Sequence, residues 1–295
     1  MSDIEHSQWS GKTGGKRWMQ ESLVHIFRKC DIRIFYAVMG VVILFYMAFN
    51  RNGYRSAYRY FRSRFGCSPL GAFRNVYRNH YVFGQIILDR FAIYAGKRFE
   101  VFVEGEEQFT RLTEGEGAFM MLSSHVGNYE LAGYSLHSKQ KRVYALVFDG
   151  ETETVMENRN RVLGRHNVQM IPVKEDMSHL FLINKALSEG DIVSMPADRV
   201  FGSPKTVECE FLGAKAKFPL GPFAVAVQRE IPVLPVFVMK ESAKRYRIFV
   251  EKIDFPTEGS RKQKQEQIAR EYVAALERVV RRYPTQWFNY YDFWA

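Results

Sequence analysis

Ala118-Phe119-Met120-Met121-Leu122-Ser123-Ser124-His125-Val126-Gly127-Asn128-Tyr129-Glu130 is the stretch on which the reading of this chain turns. Its first five residues form an unbroken apolar run of strand length, and Leu131 to His137 reads as the body of a helix. The histidine therefore falls where a strand hands over to a helix, the kind of edge where α/β folds place their chemistry. A carboxylate five positions after a histidine can engage one imidazole nitrogen and leave the other free to take a proton, which is the arrangement of a general base. The spacing alone is common, and a histidine serving only the fold satisfies it too. What surrounds it has to decide.

Working outward, strands alternate with helices from residue 99 onward. Candidate strands are Phe99–Val103, Ala118–Leu122, Arg142–Phe148, Val168–Val173, Ile192–Met195, Pro232–Met239 and Arg245–Glu251. Helical stretches lie at about 126–138, 152–166, 176–188 and 220–229, and a polar helix over 261–283 closes the chain. This alternation predicts an α/β fold with a mainly parallel central sheet flanked by helices, occupying 99–295.

Residues 1–98 are of another character. The net charge of +10 sits here: 16 Lys+Arg against 5 Asp+Glu, compared with 26 against 27 in the remainder. An enzyme of nucleic acids would carry positive surface around its cleft, whereas this surplus surrounds an apolar segment, which favours an anionic membrane surface and excludes nucleic acid as the expected partner. Ile34 to Phe49 is uncharged, and with Asn50 it gives 17 residues between Arg33 and Arg51, about 25 Å as a helix against a hydrocarbon core of roughly 30 Å. Segment 34–50 thus reads as an embedded or marginally spanning anchor, with a buried core helix as the plain alternative. Both flanks are basic, so charge does not orient it. Residues 54–65 interleave Arg with Tyr and Phe, suited to a headgroup layer, and 70–95 form a further amphipathic helix. The opening 9–16 is glycine-rich but lacks the strand and the Lys-Ser/Thr order of a phosphate loop, and no cleavable signal peptide is expected. With 46% hydrophobic and 15% aromatic residues the chain is folded. Cys30, Cys67 and Cys209 are too dispersed for a zinc site and read as reduced thiols, so no metal is expected.

Three features accompany His125. Asp198 and Arg199 follow the apolar strand 191–195, at a strand end of the same kind. Phe211-Leu212-Gly213 and Phe218-Pro219-Leu220-Gly221-Pro222 lead into a small-residue helix suited to close approach by a ligand. Arg159 and Arg161 lie on the helix after strand Arg142–Phe148, within reach of a phosphate- or thioester-bearing co-substrate. Structural readings exist for each: Asp198 as a helix cap, the arginines as a solvated face, the prolines as helix-start chemistry.

Together these blocks resemble a known family. Ser-Ser-His-Val-Gly-Asn-Tyr-Glu-Leu is similar to the S-x-H-x-G-N-W/Y-E-L block of the lipid A biosynthesis acyltransferases, within the glycerolipid acyltransferase superfamily. Pro-Ala-Asp-Arg, Phe-Leu-Gly and Phe-Pro-Leu-Gly-Pro resemble further family blocks in matching order, and Pro284-Thr285-Gln286-Trp287 resembles a C-terminal P-x-Q-W element. Arg199 departs from the Gln or His common after the aspartate, and the basic C-terminal ending of well-known members is missing. These departures widen the range of acceptors to other lipids, including lysophospholipids, amino-acid lipids and those of aryl polyene or flexirubin type.

The resemblance implies a membrane-bound O-acyltransferase at the cytoplasmic side of a bacterial inner membrane, using acyl-carrier-protein or acyl-CoA thioesters as co-substrates and no other cofactor. It implies His125 as general base and Glu130 as the carboxylate that orients it. Asn128, Gly127 and the backbone N–H groups after His125 would form an oxyanion site, and Arg159, Arg161, Asp198 and Arg199 would position substrate. A non-catalytic membrane adaptor is the alternative from another class. A hydrolase using Ser123 or Ser124 is disfavoured because no Gly-x-Ser-x-Gly elbow surrounds them.

Overall fold

The computed structural model describes residues 17–136, 138–148, 153–173, 176–200 and 205–294; the glycine-rich opening 9–16 lies outside them. Four helices come first: α1 Arg17–Lys29, α2 Ile32–Phe49, α3 Arg51–Phe65 and α4 Pro69–Tyr94. Asp31 caps α2 by accepting from the Arg33 N–H, and Asn50 ends α2 and caps α3 through Gly53. Ser68 caps α4 with Pro69 in its first turn.

The α/β part then runs β1 Glu100–Glu104, α5 Glu106–Glu114, β2 Phe119–Ser123, α6 Glu130–Ser135, β3 Val143–Phe148, α7 Glu153–Leu163, β4 Val168–Val173, α8 Ser178–Ser188, β5 Ile192–Pro196, β6 Thr206–Phe211, β7 Ala214–Pro219, α9 Gly221–Arg229, β8 Val233–Lys240, β9 Arg245–Val250 and α10 Arg261–Arg282. Seven strands form one sheet in the order β1-β9-β8-β2-β5-β3-β4. Pairing is parallel except between β8 and β9, so the mainly parallel sheet with flanking helices is the observed fold. The step from β8 to β9 is antiparallel because only the short segment 241–244 separates them, whereas a parallel return needs a crossover.

Strand periodicity builds the two layers. Phe119 and Met121 join Phe109, Leu131, Tyr134 and Leu163 on one face, while Met120 and Leu122 join Phe223, Tyr272 and Leu276 on the other. The second layer also contains Ile43, Met47, Tyr60, Phe61 and Trp287, so the N-terminal helices share their core with the sheet.

Two elements differ from the expectation. Residues 206–219 form the hairpin β6–β7, packed with Val207, Cys209 and Phe211 inward and Glu208 and Glu210 opposite Lys217 and Lys215. The stretch 211–222, expected only as the approach to α9, thus supplies the second strand of the hairpin as well. Residues 126–129 are loop, and α6 begins at Glu130 and has six residues. Gly127 explains why: its φ of +51° is the left-handed region, and a Cβ there would lie 1.9 Å from the Val238 carbonyl oxygen.

Candidate active site

Register places the site. Ser123 at the end of β2 pairs with Pro196 at the end of β5, and Ala197 N–H donates to the Ser123 carbonyl at 2.9 Å. Two residues beyond each strand end, His125 and Asp198 therefore face one another. The Asp198 carboxylate takes the His125 backbone N–H at 2.8 Å and the imidazole Nδ1–H at 2.8 Å. Asp198 is buried and the imidazole is 25% exposed. This pairing fixes the tautomer with the proton on Nδ1 and leaves Nε2 as the basic nitrogen.

Burial, joined by the Arg199 guanidinium, lowers the His125 imidazole from its ordinary pKa against the opposing pull of Asp198. The ring is thus neutral near pH 7, as a base must be. Burial alone would raise Asp198, but the imidazole and Arg199 outweigh it and hold the carboxylate below its usual range.

Glu130 goes elsewhere. As the first residue of α6 it projects into a buried cluster: Tyr94 donates to Oε1 at 2.6 Å, Tyr134 donates to the same oxygen, Arg159 donates through Nε at 3.1 Å, and Arg90 lies 3.7 Å away. Burial acts to raise its carboxyl, yet Arg159 and Arg90 with the two phenols hold it at about 2. The carboxylate on the imidazole is accordingly Asp198, and Glu130 instead anchors two arginines beside the loop. Gly127 takes its left-handed φ just ahead of α6, and Glu130, the first residue of that helix, sits among side chains of α4, α6 and α7 instead of on the ring.

The remaining candidates divide. Arg159 is buried against Glu130. Arg161 lies on the exposed face of α7, donating to Asn158 Oδ1 at 2.7 Å, and is not part of this cluster. Arg199 donates to the Phe288 carbonyl. Asn128 is fully buried, with its Oδ1 3.5 Å from Arg90 Nε, and so lies beyond reach of a substrate. The Gly127 and Asn128 N–H groups donate to the carbonyls of Gln286 and Val238, both at 2.8 Å. With His125 N–H on Asp198, those three donors are committed within the protein and do not form an oxyanion site here.

Ser124 is buried, which removes it as a nucleophile, and among the described residues no His/Cys/Asp/Glu group could hold a metal ion. Arg90, Tyr94 and Tyr134 carry no local signal in the sequence; the C-terminal segment carries one in Pro284 to Trp287, and the structure brings it onto the His125 loop.

A structure of the 1-acyl-sn-glycerophosphate acyltransferase PlsC from Thermotoga maritima is similar at 16% identity, covering 92% of this chain and 99% of that one with a TM-score of 0.39. No curated protein sequence matches the chain. The profile described as bacterial lipid A biosynthesis acyltransferase matches residues 87–294, from the end of α4 through the C-terminal segment. That match takes in every residue of the His125 and Glu130 clusters, and the chain belongs to the bacterial lipid A biosynthesis acyltransferase family, an acyltransferase enzyme.

Proposed function

We propose that this enzyme moves a fatty acyl chain from a carrier-protein or CoA thioester to a hydroxyl of a lipid A-type or related glycolipid. The observation that carries the chemistry is the partly exposed His125 imidazole held by buried Asp198. An alkyl hydroxyl is a weak nucleophile at neutral pH. Nε2 takes its proton as the oxygen attacks the thioester carbonyl, forming the ester C–O bond. The C–S bond then breaks and the proton passes to the leaving thiolate. Asp198 stabilises the transient imidazolium, and no enzyme nucleophile is used. Glu130 holds Arg90 and Arg159 beside the loop, and Arg90, whose side chain keeps 17% exposure against 6% for Arg159, is the cation offered to an anionic group of donor or acceptor.

The membrane reading is supported by α2. It packs Tyr36, Ile43 and Met47 against the protein and presents Ile34, Val38, Val41, Leu44, Phe45 and Phe49 outward, a face that fits acyl chains. Arg55, Arg59 and Arg62 on α3 are exposed beside it and fit anionic headgroups. With this chemistry the enzyme works on the cytoplasmic face of the inner membrane, where acyl thioesters are made.

Lipid mass spectrometry of a deletion strain tests the reading: one lipid loses a single acyl chain, and wild-type protein restores it. His125→Ala does not restore it, because positioned proton transfer is worth roughly 10²–10⁴-fold. Restoration by a folded His125→Ala protein would sink the proposal. Loss of acyl chains from phospholipids alone would move the acceptor away from glycolipids.

A further inference from the structure

The C-terminal segment after α10 crosses the catalytic edge and touches the His125 loop with its main chain. Gln286 carbonyl accepts from Gly127 N–H at 2.8 Å, and Phe288 N–H donates to the His125 carbonyl at 3.1 Å, so Val126 and Trp287 face each other as an antiparallel bridge. The loop is gripped from its other side by β8, whose Val238 carbonyl accepts from Asn128 N–H. Strap and β8 are thus the two jaws that hold residues 125–128, and the loop's geometry depends on how the jaws are set against one another.

One side chain sets them. β8 runs past the end of its pairing with β2, which stops at Leu122 opposite Pro235, meets the loop where Val238 lies opposite Gly127, and continues to Lys240. There the Gln286 amide pairs with the Lys240 main chain on both counts: Oε1 accepts from Lys240 N–H at 2.8 Å and Nε2 donates to Lys240 C=O at 2.7 Å. The amide reproduces one step of a β-ladder, using the only neutral side chains that carry a donor and an acceptor in that arrangement, Asn and Gln. Gln286 is buried, and Asn79 of α4 fixes the strap on either side of it by donating to the Thr285 and Trp287 carbonyls at 3.1 and 2.9 Å.

The geometry points to Gln286 as a positioning residue for acyl transfer: its amide clamp on Lys240 sets the strap that holds the His125 carbonyl and the Gly127 N–H, and so places the base. The inference rests on the role proposed above for His125. Gln286 touches no reacting atom, and its effect is transmitted entirely through main-chain bonds to the loop.

The test compares Gln286→Met, which keeps volume but loses both bonds, and Gln286→Glu, which keeps the acceptor, with wild type. Purified full-length protein in detergent is assayed with lauroyl-acyl-carrier protein and lauroyl-CoA as donors and a penta-acylated lipid A as acceptor. Expected for Gln286→Met is a fall in kcat of about 10–100-fold with each KM within about threefold, since a slight misplacement of a base costs on that scale. Gln286→Glu falls between it and wild type. Hydrogen exchange of peptides covering 123–130 and 284–290 accelerates in the Met variant, while 119–122 and 233–237 keep wild-type protection. Unchanged kcat with accelerated exchange, or unchanged exchange in those two peptides, overturns the proposal. So does global unfolding of both variants, which would assign Gln286 to the fold as a whole. Absence of transfer by the wild type would instead count against the reading of function, and the exchange measurement would still decide the clamp.

Discussion

At the scale of single residues, the site rests on which carboxylate meets which base. His125 stood out in the sequence because a strand-end histidine is conspicuous, but its partner did not. Asp198 is 73 positions away and reaches the ring only through the pairing of β2 with β5, a relation that no local spacing encodes. Glu130, five positions on, was the obvious candidate and is occupied by Arg90, Arg159, Tyr94 and Tyr134. The two carboxylates therefore separate on substitution. Asp198→Asn should cut kcat by roughly 10²-fold or more while the protein stays folded, because the tautomer of the base is lost. Glu130→Gln should chiefly destabilise, by about 3–5 kcal/mol, because two buried arginines lose their counter-charge. Denaturant midpoints and kcat measured on both variants check the division, and equal stability loss with equal activity loss would contradict it. The charge around His125 gives a signed pH prediction. Burial and Arg199 lower its pKa, so the acid limb of kcat/KM should lie below the ordinary histidine value of about 6.5. Arg199 disfavours the imidazolium; with Arg199→Gln the ring binds its proton more readily and the limb moves to higher pH. A limb that stays put or moves down would remove Arg199 from the electrostatics of the base.

At the scale of elements, the chain was legible where periodicity and apolar runs were strong. All seven sheet strands agree with the expected ones to within a residue or so: buried strands such as β2 and β8 read as continuous apolar runs, and β1 and β9 as apolar residues interspersed with charged ones. The hairpin β6–β7 was missed although Val207, Cys209 and Phe211 alternate cleanly, because Lys215 and Lys217 look like a solvated loop until the facing Glu208 and Glu210 are seen. Helix α2 was legible as an apolar segment, but its two faces were not. Tyr36 and Ile43 turn inward and Val41 and Phe45 outward; hydrophobicity is nearly uniform around the helix, and only what each face docks against, α4 and for Tyr36 also Lys240 and Ala243, distinguishes them. That distinction makes a test. Val41→Glu with Phe45→Glu should leave the fold intact and shift the protein off anionic vesicles by at least tenfold in partition, since burying each such side chain is worth roughly 1.5–3 kcal/mol. Ile43→Glu on the inner face should instead destabilise the protein. Co-sedimentation and thermal unfolding read the two effects, and undiminished vesicle binding by the first variant would show that α2 is not the membrane contact.

At the scale of the whole molecule, charge and composition divide the sequence near residue 98, yet the structure fastens the two parts together through a buried polar knot. Asp89 of α4 accepts from Lys240 of β8, Tyr246 of β9 and Tyr36 of α2, and none of the four is exposed. Lys240 is also the residue whose main chain Gln286 clamps, so the apolar helix, the sheet and the strap over His125 converge on one residue. No local pattern marks this knot: Asp89 is the lone aspartate of α4 and Lys240 ends an apolar strand, and only the fold brings them together. A buried ion pair adds little net stability, but removing one partner strands the other in a low-dielectric interior. Asp89→Asn should therefore cost about 3–5 kcal/mol, whereas Asp89→Leu combined with Lys240→Met, which removes both charges, should recover much of that loss. If the knot makes the N-terminal helices and the sheet one folding unit, wild type in detergent unfolds in a single transition followed identically by far-ultraviolet dichroism and by tryptophan fluorescence. Asp89→Asn should then shift that transition as a whole or split it, with the helices released first. A loss under about 1 kcal/mol, with the transition still single, would mean that apolar packing alone joins the anchor to the catalytic sheet.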